Sequence, residues 1–103
     1  MVQIFERNNM TAYIIFDRKQ TTDAAELALY APLVGATLEG RGATKLAGGK
    51  ALVLEGEPSE AVVVLEFPSV EQAKAWYDSP LYQEATVHRL KGGNWRVMIV
   101  EGA

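Results

Sequence analysis

A chain of 103 residues has room for one hydrophobic core; burying about 60 to 70% of its unfolded surface leaves little space for a deep enclosed site. Cysteine is absent, which excludes disulfides and thiolate metal centres. A net charge of -3 offers no basic stripe for nucleic acid, and no apolar run reaches the ~18 residues of a membrane span.

Residues 1–9 (MVQIFERNN) lack the basic start and long apolar stretch of a secretory signal. They are assigned as an N-terminal extension ahead of a single domain over residues 10–103. The β-branched and aromatic run at 13–17 (YIIFD) predicts the first strand, with Ile14 and Phe16 on the helix side. Asp23, with Glu26 three positions on, marks a helix start. Leu27, Tyr30 or Ala31, Val34 and Leu38 then recur at helical spacing. Pro32 within that pattern predicts a kink or a split, because its ring removes a donor and crowds the preceding turn. Gly40 and Gly42 end the helix.

Residues 43–47 and 50–54 are read as two short strands around Gly48-Gly49, a pair that supplies the positive φ values of a tight hairpin. The strongest strand is 61–67 (AVVVLEF), stopped by Pro68. Ser69 and Gln72 form a capping box for a helix running through Tyr77. Ser79-Pro80 opens a third helix, with serine as N-cap and proline in the first turn, and Gly92-Gly93 closes it. Residues 94–101 (NWRVMIVE) make the last strand.

The predicted order is β-α-β-β-α-β with the second helix in two pieces and an extra central hairpin. This is an α+β, ferredoxin-like arrangement: a four-stranded antiparallel sheet with helices on one face. In the strand at 61–67, Ala61, Val63, Leu65 and Phe67 alternate with Val62, Val64 and Glu66, so both faces are largely apolar. A half-exposed antiparallel strand should instead alternate apolar with polar. Helices cover one side only, so a second copy of the sheet is expected on the other, as a homodimer.

The wording LEGE at 54–57, VVVLEFPS at 62–69, AWYDSPLYQ at 75–83 and IVEG at 99–102 resembles the DUF1330 family of the dimeric α/β-barrel superfamily. The resemblance covers residues 10–102. It implies a ferredoxin-like protomer whose sheet packs on its partner's to close a barrel. It implies no reaction, since the family is named for its unknown function. The chain departs from the family's usual pattern at Ala47, where a basic residue often precedes the glycine pair.

Candidate chemistry is sparse. His88, the one histidine, is a candidate general base, weighed against an ordinary half-exposed helix residue beside Arg89. Glu66 is a candidate carboxylate at the end of an apolar strand, weighed against a paired strand-end charge. Trp76, Tyr77 and Tyr82 are candidate ligand-binding residues, weighed against plain core packing. A ligand is expected beneath the helices near Tyr77, Tyr82 and His88, where the Ser79-Pro80 break should open a gap. No metal site, cofactor or phosphate loop is indicated. The expectation is a small dimeric cytoplasmic protein, partnered by neither nucleic acid nor membrane. It binds or transforms a small apolar molecule between helices and sheet; the alternative is a non-catalytic interaction or regulatory module.

Overall fold

A computed structural model describes residues 11–102. The elements are β1 (Ala12–Thr21), α1 (Ala24–Thr37), β2 (Thr44–Lys50), β3 (Ala61–Phe67), α2 (Val70–Asp78), α3 (Pro80–Gly92) and β4 (Gly93–Glu101). The strands form one antiparallel sheet in the order β2-β3-β1-β4. The ferredoxin-like topology expected from the sequence is the one observed.

Alternation along the strands sorts the side chains. Ala12, Ile14 and Phe16 of β1 and Leu65 and Phe67 of β3 are buried beneath the helices. There they meet Trp76 and Ala73 of α2 and Tyr82 and Ala85 of α3. The opposite face carries Tyr13 and Ile15, flanked by Val64 on β3 and by Met98 and Val100 on β4. Among the described residues no helix lies over that face.

The central hairpin is a correction. Gly48 and Gly49 lie inside β2, opposite Val63 and Val62, and the chain does not turn there. Neither glycine has a positive φ. A Cβ on Gly48 would come within 2.5 Å of Cε of Lys45, so this glycine makes room for a folded-back lysine rather than for a turn. After Lys50 the chain runs on without strand structure, and Ala51 and Glu60 are joined by a backbone hydrogen bond of 3.3 Å.

Pro32 does not split its helix either: α1 is one element through it. The carbonyl that loses its donor belongs to Ala28, four residues back. Ala28 and Pro32 are both exposed, so water can serve that carbonyl and the break is unnecessary. Asp23 caps α1 as predicted, accepting from the backbone of Ala25 and Glu26.

The α2–α3 break occurs where predicted and rests on one serine. Pro80 steers Ser79 into extended backbone, φ -62° and ψ 144°. Its hydroxyl donates to the Trp76 carbonyl at 2.7 Å and accepts from the Tyr82 amide at 3.3 Å, ending one helix and starting the next. α3 passes directly into β4. At the join Gly92 lies so close to α1 that a Cβ would meet Leu27 Cδ2 at 2.5 Å.

Candidate functional site

α1 packs along α3 and stands off from the sheet, which is touched chiefly by α2 and α3. The apolar face of α1 therefore meets the core only in part, through Tyr30, Val34 and Leu38, and leaves space beside them. A cavity of about 410 Å³ lies there, roofed by Leu27, Tyr30, Val34 and Leu38. Its floor is Phe16 of β1 with Val63 and Leu65 of β3, and Trp95 of β4 also lines it. Ala31, Gly35 and Ala43 line it too; they are small where longer side chains would fill the space.

The charged residues of the lining are Arg18 and Lys45, with no carboxylate among them. Arg18 is turned by Glu60, whose carboxylate accepts from its Nε at 3.1 Å and from the Thr21 hydroxyl at 2.6 Å. Those hydrogen bonds, that from Thr21 foremost, hold the Glu60 carboxyl below its usual range.

Besides Trp95, the uncharged polar side chain of the lining is Tyr30. Its hydroxyl lies 2.6 Å from that of Tyr82. Burial first, then Tyr82 beside it, pushes the Tyr30 phenol far above its ordinary range. Burial raises Tyr82 as well, against hydrogen bonding from Tyr30 and the nearby Arg89 charge. Both phenols are therefore neutral hydroxyls at physiological pH, able to donate but not to act as bases. Behind them sits Arg89, only 2% exposed. Its guanidinium donates to the Tyr77 hydroxyl at 3.3 Å and lies 5.5 Å from the Trp95 ring centroid and 5.9 Å from that of Phe16. No carboxylate pairs with it among the described residues. Its Nε and the Trp95 Nε1 are buried without a hydrogen-bond partner there.

The residues singled out from the sequence fall into three places. Trp76 and Tyr82 are fully buried and nearly stacked, ring centroids 4.1 Å apart, with Tyr77 5.5 Å from Tyr82. These rings fill the angle of the α2–α3 break, so the expected gap is closed and the cavity lies under α1 instead. Tyr82 still reaches the site, one hydroxyl behind Tyr30. His88 pairs with Glu26 across α3 and α1, Nδ1 to Oε1 at 2.8 Å, and does not line the cavity. Glu66 projects from the far face of the sheet, opposite Tyr13 and Thr44. No group of three or more His, Cys, Asp or Glu side chains among the described residues could hold a metal ion. Tyr30, Trp95, Arg89, Arg18 and Lys45 were not foreseen as site residues. Arg89 was within reach: Tyr82, Ala85, Thr86 and Arg89 share one buried helix face at three- and four-residue spacing.

The family model for the domain of unknown function DUF1330 matches residues 11–103. The chain belongs to this family. No curated protein matches it. Among solved structures it is similar to a protein of unknown function from Rhodopseudomonas palustris, with a TM-score of 0.72, 20% identity, and 100% of this chain and 94% of that one covered. A dimeric ferredoxin-like protein of unknown function from Thermobifida fusca gives a TM-score of 0.66 at 12% identity, covering 90% and 92%. The hydroxynitrile lyase of Passiflora edulis gives 0.72 at 11% identity, covering 92% and 95%. At such identities the likeness is one of fold. This DUF1330 chain shares its architecture with an enzyme and with proteins of no assigned activity alike.

Proposed function

We propose that this DUF1330 protein works as a homodimer in which each protomer holds one small, largely apolar molecule beneath α1. The observation that carries the reading is the cavity of about 410 Å³, apolar on roof and floor, with the Tyr30 hydroxyl and two cations as its polar features. A pocket of this size and lining suits a compact organic ligand. Burial keeps the Tyr30 phenol protonated, and the lining holds neither a carboxylate nor an imidazole. Such a set orients a ligand by donating hydrogen bonds and does not abstract protons, so binding is the proposed role rather than acid–base turnover. The dimer is supported by the apolar open face of the sheet and by the dimeric state given for the T. fusca neighbour. A chain without cysteine suits a reducing cytoplasm, and its charge of -3 disfavours nucleic acid. No helix among the described residues is long and apolar enough to cross a membrane.

Isothermal titration with 4-phenylbutan-1-ol, an apolar probe with one hydroxyl, tests the pocket. Saturable binding by the wild type and its loss in Val34→Trp, which fills the space under α1, are expected. No binding by the wild type, or undiminished binding by a folded Val34→Trp, overturns the reading.

A further inference from the structure

Resting on that pocket, we infer that the natural ligand is an organic acid: an apolar body under α1 with its carboxylate facing Lys45. The charge pattern of the lining is one-sided. Arg18 and Lys45 contribute positive charge and no acidic residue contributes to the wall. Arg18 has a counter-charge outside the cavity in Glu60. Lys45 forms no ion pair among the described residues, although the chain as a whole is acidic, at -3. Lys45 is exposed, and what sets it apart from the chain's other unpaired cations is its place on the cavity wall, where an anionic head group can meet it.

The backbone supports that placement. Lys45 folds back along its own strand into the space beside Gly48: a Cβ there would stand 2.5 Å from the lysine Cε and 3.0 Å from its Nζ, so a side chain at position 48 would move the end of the lysine. Gly48 carries no positive φ, so turn geometry does not require it. Its consequence is where the ammonium rests. Behind the aromatic wall, Arg89 adds a second unpaired positive charge, stacked on Trp95 and Phe16. A cation seen through low-dielectric aromatic packing keeps its field, so the cavity favours an anion over a neutral molecule of equal shape.

Two probes that differ only at the head group separate this inference from the pocket it needs: 4-phenylbutyrate and 4-phenylbutan-1-ol, titrated calorimetrically at low and high salt. The acid is expected to bind about fivefold tighter at low salt, a margin suited to a partly exposed ion pair, and to lose much of it at high salt. Lys45→Gln should abolish the acid's margin, so that the two probes bind the variant with equal affinity. Gly48→Ala, which displaces the lysine without removing it, should narrow the margin. Val34→Trp should abolish both ligands, with Ala31→Phe in its place if that variant does not fold. Equal affinity for the two probes, both lost on filling the pocket, overturns the acid and keeps the pocket. An acid preference that survives Lys45→Gln overturns the assigned anchor, and no binding of either probe overturns pocket and acid together.

Discussion

Arg89 shows how a buried charge can be held without an opposite charge. Its side chain is surrounded by Phe16, Trp95 and the Tyr77 hydroxyl, a setting that suits a planar, weakly hydrated guanidinium and not a compact ammonium. Arg89→Lys should therefore destabilise the fold by about 2 kcal/mol, because lysine keeps the charge and loses the stacking. Arg89→Met should stay within about 1 kcal/mol of wild type, since a buried charge is often replaced by an apolar chain at little cost. Urea denaturation of both variants checks the order; methionine worse than lysine would mean that the charge itself is required. Tyr30 offers a second test at this scale. Both phenols titrate higher in the folded protein than at their ordinary value of 10.0. Above that pH the unfolded chain loses protons that the folded one keeps, so their contribution is fully present below about pH 10 and is lost as pH rises through and beyond it. Tyr30→Phe should cost about 1 to 2 kcal/mol at pH 7 by leaving the Tyr82 hydroxyl without its partner, and should flatten the alkaline decline between pH 9 and 11. An unchanged alkaline slope would show that the pair does not govern it.

At the scale of elements, what could be read in advance followed from strong local signals. The alternation of YIIFD set Ile14 and Phe16 toward the helices, and Asp23, Ser69 and Ser79 marked helix starts, all as found. The hairpin that is absent and the split that Pro32 does not make both involve residues whose local preference was overruled by their surroundings. Gly48-Gly49 has the chemistry of a hairpin, yet the pairing of β2 with Val62 and Val63 holds it extended. Pro32 has the chemistry of a helix break, yet it and Ala28, whose carbonyl it frees, are both exposed to water. The site failed to show for a related reason. A cavity exists because α1 leans on α3 and leaves the sheet, and that standoff is a property of packing between distant segments. Periodicity placed Tyr30 and Val34 on the inner face of α1 without saying that they would border a cavity as well as the core.

For the whole molecule the unsolved surface is the open face of the sheet. Tyr13, Ile15, Val62, Val64, Met98 and Val100 lie there in register across three central and edge strands. Val64 stands opposite Ile15 on one side and Ala47 on the other, so it sits near the middle of the apolar area. At the end of the same face, Ser59 donates to Asp17 and Lys19 pairs with Glu57, pinning the loop between β2 and β3 beside it. That loop carries two further exposed apolar side chains, Leu52 and Leu54, at 86% and 85% exposed. Apolar area of this extent at a sheet face is what an interface between two copies needs, and a twofold pairing presents the same residues from both sides. The wild type should run as a dimer of its 11.3 kDa chain in light scattering at micromolar concentration. Val64→Lys should shift it to monomer, because an unpaired ammonium would be buried at the centre of the contact. Leu52→Ser with Leu54→Ser should weaken the dimer less, as a change at the rim. Glu71→Lys, on the exposed side of α2, should leave assembly intact and controls for the added charge. If the wild type is a folded monomer, or if Val64→Lys remains a dimer, the sheet-to-sheet arrangement is wrong, and the apolar face must meet a partner other than a second copy.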